Sequence, residues 1–360
     1  MNYFGELGVL KTMESDYKLE KSRITYITLK VTNRCNMKCY MCGQTKVRDK
    51  LSKEDLPFEL IKKRMDELDS IQTVYIFGGE PLLYKYHSKL LAYLKERNID
   101  VLMTTNGVFV DKAAEDLVKN RVRDLTFSID SLNPEIYAKI RGIETYHLVL
   151  NNLRKVIEVK KKLKSEYPYL GVNCVILPEN KEELEIIYNY FEEKFPEVKR
   201  VNFESLISIT PQVGLQYEEI MKNEFGCTGE AWKRFYEAKP IFNAKEMKII
   251  NQQLADIWNN ERVTLMVGEE NEKKNETKVY GSQICEFPDY SLTVLPNGDV
   301  TFCTDFPDYI VGNIYDSSFE EVFCGEKAVR FRQYLHEKGA FPICADCPRQ
   351  HCEKDFFIKG

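Results

Sequence analysis

The chain has 360 residues, 43% of them hydrophobic and 30% charged, and 51 Lys and Arg against 56 Asp and Glu leave a net charge of −5. Length alone allows two domains of about 150 residues or one larger one, and the composition excludes a disordered chain, a collagen-like fibre and a coiled coil. No apolar run approaches the ~18–20 residues that span a bilayer, the charged N-terminus predicts no signal peptide, and the weakly acidic balance argues against nucleic acid or a membrane as partner.

Strand-like and helix-like runs alternate along the first two hundred residues. A strand is predicted over Ile24–Asn33, then a helix over Pro57–Leu68 with Asp55 as an acidic cap. A second strand, Thr73–Phe77, leads to a helix over Lys85–Arg97; a third, Val101–Thr105, leads to a helix over Asp111–Lys119. The fourth strand is Asp124–Asp130, followed by a helix over His147–Lys164; the fifth, Tyr169–Leu177, is followed by a helix over Glu182–Phe195; the sixth is Val198–Leu206. Six strands with intervening helices predict an α/β fold with a parallel sheet, either doubly wound or a partial barrel. Alternation places Thr28, Lys30 and Thr32 on one face of the first strand, Thr126, Ser128 and Asp130 on one face of the fourth, and Arg200, Asn202 and Glu204 on one face of the sixth. Strands buried on both sides read as continuous apolar runs, so a polar face on several strands favours a barrel with a ligand-lined interior. After Leu206 the pattern turns helical, with a long segment at Ala244–Asn260; residues 269–278 read as a charged linker, and Pro296-Asn297-Gly298-Asp299 as a hairpin turn inside a small separate module.

Cysteine is the outlying residue type, with 11 copies. An odd count without an export signal makes a disulfide framework a poor expectation. Cys35, Cys39 and Cys42 follow the first strand with the spacing C-x3-C-x2-C. Three thiolates on one loop can ligate three corners of a 4Fe–4S cluster and leave one iron open. Structural zinc prefers four closed ligands in paired C-x2-C knuckles and fits this run poorly.

With these residues the chain resembles the radical S-adenosylmethionine (SAM) superfamily over about Thr25 to Leu206. The resemblance implies a partial (β/α)6 TIM-like barrel in which Cys35, Cys39 and Cys42 hold the cluster and SAM chelates the open iron. Gly78-Gly79-Glu80-Pro81 is similar to the motif that holds the SAM amino group: glycines let backbone approach a ligand, and a carboxylate pairs with an ammonium. Thr104 and Asn106 resemble the element beside the cofactor, Ser128 a SAM contact, Arg141 the partner of the SAM carboxylate, and Asn173 a polar SAM contact; Met41 stands where many relatives carry an aromatic residue. The implied chemistry is reductive cleavage of SAM to a 5′-deoxyadenosyl radical that abstracts a substrate hydrogen. A reducing partner such as flavodoxin or ferredoxin, a cytoplasmic location and oxygen sensitivity accompany that reading.

The tail holds a second cluster of cysteines. Cys285 and Cys303 lie 18 positions apart, followed by Cys344-x2-Cys347 and Cys352. This resembles the Twitch and SPASM extensions of radical SAM enzymes and implies one auxiliary 4Fe–4S cluster, with Cys285, Cys303, Cys344 and Cys347 as ligands and Cys352 as an alternate; a zinc ribbon completed by His351 or Cys352 is the alternative. The expected domains are an N-terminal extension (residues 1–23), a radical SAM core (24–206), a helical connector and linker (207–284) and the auxiliary module (285–360).

An auxiliary cluster suits dehydrogenation: abstract hydrogen, remove a proton, pass the electron on. The expected reaction is oxidation of a small molecule such as a sugar or cyclitol, with Asp305 or Glu204 as base. A maturase that oxidises, crosslinks or epimerises a peptide side chain is the alternative, weakened by the short stretch before the first strand, and a non-catalytic zinc protein is a remote one.

Overall fold

The computed structural model describes residues 24–236, 241–257, 260, 262–266 and 285–347. The expected N-terminal extension, the charged stretch at 269–278, His351 and Cys352 lie outside the described residues. Strand β1 (Tyr26–Lys30) leads through the cysteine loop to α1 (Gly43–Val47) and α2 (Phe58–Asp66). Then come β2 (Thr73–Phe77), α3 (His87–Glu96), β3 (Asp100–Thr105), α4 (Val110–Lys119) and β4 (Asp124–Ser128). Two helices follow, α5 (Pro134–Arg141) and α6 (Tyr146–Leu163), then β5 (Tyr169–Ile176), α7 (Leu184–Lys194) and β6 (Val198–Ser205). The connector contributes α8 (Pro211–Phe225), α9 (Ala244–Ile257) and β7 (Val263–Met266), and the tail β8 (Ser291–Val294), β9 (Asp299–Thr301), β10 (Gly312–Asn313), α10 (Phe319–Cys324) and α11 (Glu326–Lys338).

Local sequence accounts for most of these elements. In α4, Val110, Ala113, Ala114, Leu117 and Val118 recur at three- and four-residue spacing and form its buried face. The extra helix α5 has both ends marked: the Asn133 side chain accepts from the Glu135 and Ile136 amides, Pro134 opens the first turn, and Gly142 closes the last at φ +75°. Asp55 caps nothing. It lies 2.7 Å from Arg34 in an ion pair and accepts from the Lys85 amide, because α2 begins three residues later, after Pro57.

The ten strands form one sheet in the order β10-β9-β8-β1-β2-β3-β4-β5-β6-β7. From β1 to β7 every pair is parallel and neighbours in space follow chain order. A doubly wound sheet reverses its order at a switch point; this one does not, and it winds in one direction as a partial barrel. The polar face is continuous across strands: Thr126, Gly171 and Arg200 are register partners, as are Ser128, Asn173, Asn202 and Thr264.

Two features depart from expectation. The connector supplies β7, a seventh parallel strand on β6. The tail's hairpin forms, with Gly298 at φ +84°, and its strand β8 pairs in parallel with β1, so the tail's strands continue the core sheet. Arg64 of α2 ties the two further, donating to the carbonyls of Ile314 (2.7 Å) and Tyr315 (3.3 Å). One hydrophobic core therefore runs from Leu29, Leu125, Phe127 and Phe203 into Val294, Phe302, Phe319 and Phe323.

Candidate active site

The cysteine loop leaves β1 at its C-terminal end and is held by backbone on two sides. On one side Gly79 N donates to Thr32 O and Glu80 N to Arg34 O, both at 2.8 Å. A Cβ on Gly78 would lie 2.5 Å from Thr32 O, and one on Gly79 2.2 Å from Arg34 O. The two glycines are thus required by the approach of one backbone to another. On the other side Lys38 N and Tyr40 N donate to the carbonyls of Arg141 and Ile140 at the end of α5, each at 3.2 Å. The loop presents Cys35, Cys39 and Cys42 in sequence, with Cys39 electrostatically coupled to both of the others. Burial pushes the Cys35 thiol up to about 11 and raises Cys39 as well. Three soft sulfurs on one clamped loop are the donor set of an iron–sulfur cluster, and deprotonation of such buried thiols is favoured by a bound cation.

Glu80 is buried close to the cysteine loop and acts electrostatically on Cys35. It is 1% exposed, accepts from Thr105 Oγ1 (2.7 Å), Asn106 N (2.8 Å) and Leu82 N (3.1 Å), and burial raises its carboxyl to about 7. These three donors fix the carboxylate's orientation and leave acceptor capacity on its two oxygens. Asn106 in turn donates to Asn36 Oδ1 at 2.8 Å and lies 4.0 Å from the Cys35 sulfur. Thr104 accepts from the Tyr75 hydroxyl at 3.0 Å. Met41 is partly buried against the core.

Arg141 is likewise committed within the fold. Its Nε lies 2.6 Å from Asp130 Oδ2, and its Nη1 lies 3.8 Å from the Cys39 sulfur. The residue is 7% exposed and forms an internal ion pair beside the cysteine loop. The Asp130 partner stood in the sequence at the end of the fourth strand, but nothing there linked it to Arg141.

At the same strand ends lies a group of charges. Asn173 donates to Glu204 Oε1 at 2.6 Å and accepts from Asn202 at 2.5 Å; Ser128 is its register neighbour. Burial, with Asp130 and Asp305 nearby, raises the Glu204 carboxyl to about 7. Lys30, half-buried at the end of β1, is lowered to about 8 by burial and by Arg234, with Cys42 and Asp305 acting the other way. The two carboxylates proposed from sequence, Glu204 from the barrel and Asp305 from the tail, thus come within electrostatic reach of each other, and Asp305 also of Lys30. Lys30 and Arg234 were not expected there. Alternation had already put Lys30 on the inner face, whereas Arg234 sits in a turn with no motif. Arg200 lies far down β6, 3.1 Å from Asp124, and its side chain is spent there.

In the tail, Cys344 is electrostatically coupled to Cys347, Cys303 and Cys285, so the four expected auxiliary ligands gather in one place. Burial raises the Cys303 and Cys344 thiols. Among the described residues no three cysteine, histidine or carboxylate side chains converge on a point fit for a single metal ion. Cys174 is fully buried against Asp130 O, a packing role. Among the described residues no helix is long and apolar enough to cross a membrane.

Comparison with known proteins agrees with this geometry. The radical SAM superfamily domain matches residues 29–191, and the SPASM iron–sulfur cluster-binding domain matches residues 285–348. The GTP 3′,8-cyclase of Aliarcobacter butzleri is 33% identical over 176 residues, 46% of this chain and 51% of that protein; the chain spans about half the length of such curated relatives. The tungsten-containing aldehyde ferredoxin oxidoreductase cofactor-modifying protein of Pyrococcus furiosus is 22% identical over 356 residues, 93% of this chain and 89% of that one. The crystal structure of Streptococcus suis SuiB bound to S-adenosylmethionine shares the fold, with a TM-score of 0.64 at 15% identity, over 90% of this chain and 72% of that one.

Proposed function

This chain is a radical SAM enzyme with a C-terminal SPASM iron–sulfur domain, and from that premise we propose that it dehydrogenates a small hydroxylated molecule such as a sugar or cyclitol. The observation that carries the proposal is Glu204 itself: a buried barrel carboxylate that accepts from Asn173 at 2.6 Å, within electrostatic reach of Asp305 from the cysteine-bearing tail. When bound, the cluster on Cys35, Cys39 and Cys42 with SAM supplies a hydrogen-abstracting 5′-deoxyadenosyl radical, and an auxiliary cluster on Cys285, Cys303, Cys344 and Cys347 supplies an electron acceptor.

The protein's own contribution is positioning, proton removal and exclusion of water. Glu204, poised near neutrality and oriented by Asn173, takes the hydroxyl proton of the substrate. Ser128, Asn173 and Asn202 offer the hydrogen-bonding wall that a polyol needs. Gly78, Gly79, Thr104 and Asn106 hold the edge of the SAM pocket, and Met41 supplies an apolar surface beside the last cysteine of the loop. The whole-length relative named for modifying a cofactor favours a small molecule over a peptide.

The test is anaerobic reconstitution with iron, sulfide, SAM and a reductant such as flavodoxin, ferredoxin or dithionite. The expected result is 5′-deoxyadenosine and, from a screen of sugars and cyclitols, a product lighter by two hydrogens. Turnover confined to a peptide library would replace this substrate class with the maturase reading.

A further inference from the structure

We propose that Lys30 and Arg234 form an anion-binding pair at the barrel mouth that holds a carboxylate or phosphate carried by the substrate. The proposal deepens the reading above, since it rests on substrate sitting at that mouth. Lys30 ends β1 on the lumen face, immediately before the cysteine loop. Arg234 arrives from the connector, in a short turn at residues 231–235 that packs on the start of α1: its Cβ lies 3.3 Å from the point where Gly43 would carry one, and the Phe235 ring at 2.6 Å fills the rest of that space. A glycine directly after Cys42 is what lets this turn close over the loop.

Both side chains are half-buried, and among the described residues neither makes a hydrogen bond or an ion pair. Each raises the energy of the other, because they are like charges in a partly desolvated place. The groups around them do not neutralise them. Asp305 acts on Lys30 from beyond ion-pair distance, and Asp308, within reach of Arg234, already accepts from the Tyr217 hydroxyl and the Ala231 amide, both at 2.9 Å. Cys42 is a cluster ligand. Two cations that make no hydrogen bond or ion pair among the described residues, at the entrance of a polar lumen, lack an anion, and a fork beside a point charge suits carboxylate or phosphate oxygens. The hydroxylated substrate expected at this mouth would then be an acid or a phosphate ester.

The experiment titrates inorganic phosphate and succinate into anaerobically reconstituted, SAM-loaded enzyme by calorimetry, for the wild type, Lys30→Gln, Arg234→Gln and Arg234→Lys. Variants are compared where the cluster absorbance matches the wild type. The expected result is that one of the two anions binds the wild type, that each glutamine variant binds it about tenfold more weakly or worse, and that Arg234→Lys falls between. Whichever anion binds names the substrate's charged group. No binding to the wild type would mean that the cations merely balance the cluster's own negative charge, and would overturn the proposal. Equal affinity in all four proteins would overturn it too, as would displacement of the anion by SAM, which would assign the pair to the SAM carboxylate. The isotherm needs no turnover, so its failure is distinct from failure of the dehydrogenation reading, which shows in the product screen.

Discussion

Arg141 and Asp130 form an ion pair with both side chains buried, the Arg141 Nε 2.6 Å from Asp130 Oδ2, while Arg141 Nη1 reaches toward the Cys39 sulfur at 3.8 Å. Asp130 also accepts from the Val175 amide at 3.0 Å. The pair joins β4, β5 and α5 directly beneath the cluster loop. Removing one partner strands a buried charge, so Arg141→Ala and Asp130→Ala should each cost about 3–5 kcal/mol. The double variant should cost clearly less than the sum, because each single loss includes the stranded charge. Urea unfolding of the three proteins measures this, and simple additivity would refute the coupling.

Gly79→Ala places a methyl group 2.2 Å from the Arg34 carbonyl oxygen and 2.6 Å from its carbon. Those atoms belong to backbone pinned by Glu80 N, so the cysteine loop itself must move. A stability loss of about 1–3 kcal/mol is expected, together with less iron per chain after reconstitution. Iron content equal to the wild type would show that the contact relaxes without disturbing the loop.

The two groups of cysteines should separate in experiment. Cys39→Ala should abolish SAM cleavage and lower iron. Cys344→Ala should lower iron and alter the auxiliary spectroscopic signal while 5′-deoxyadenosine still forms, because the first loop is intact. Loss of SAM cleavage in Cys344→Ala with the first cluster still present would contradict this division of labour.

Glu204 carries a pH prediction. Its carboxyl is raised to about 7 in the folded protein, above the ordinary value of 4.5. Between those values the folded state holds a proton that the unfolded chain has lost, so stability falls as pH rises from about 4.5 to about 7. As a base, Glu204 must be ionised, so product formation should rise through about pH 7. Glu204→Gln should flatten both trends. An unchanged rising limb in the variant would remove Glu204 from proton transfer.

Much of the fold could be read in advance because its signals are local. Period-two runs located β1 to β6, period-three-and-four runs located α3, α4, α6 and α7, and Asn297-Gly298 marked the hairpin. Helix α5 was also legible, from Asn133-Pro134 and Gly142, but its eight residues fell between stronger patterns. Strand β7 is four residues long and lies inside the connector, past two helices, so its pairing with β6 had no signature.

The amino-acid sequence by itself determined the C-x3-C-x2-C loop, the polar inner face of the strands and the cysteine-rich tail, since thiol spacing and side-chain alternation are properties of neighbouring residues. Only the tertiary structure decided where the charges are spent. Glu80 is held by Thr105 and Asn106, Arg141 by Asp130, and Arg200 by Asp124, while Lys30 and Arg234 come within electrostatic reach of each other. The physical reason is that a buried charge takes whichever opposite group or hydrogen bond the packing brings near, and those partners here stand from 11 to 76 residues away in the chain. The docking of β8 on β1 was decided in the same way: the exposed edge of the first strand needed hydrogen bonds, and the tail was the segment placed to supply them.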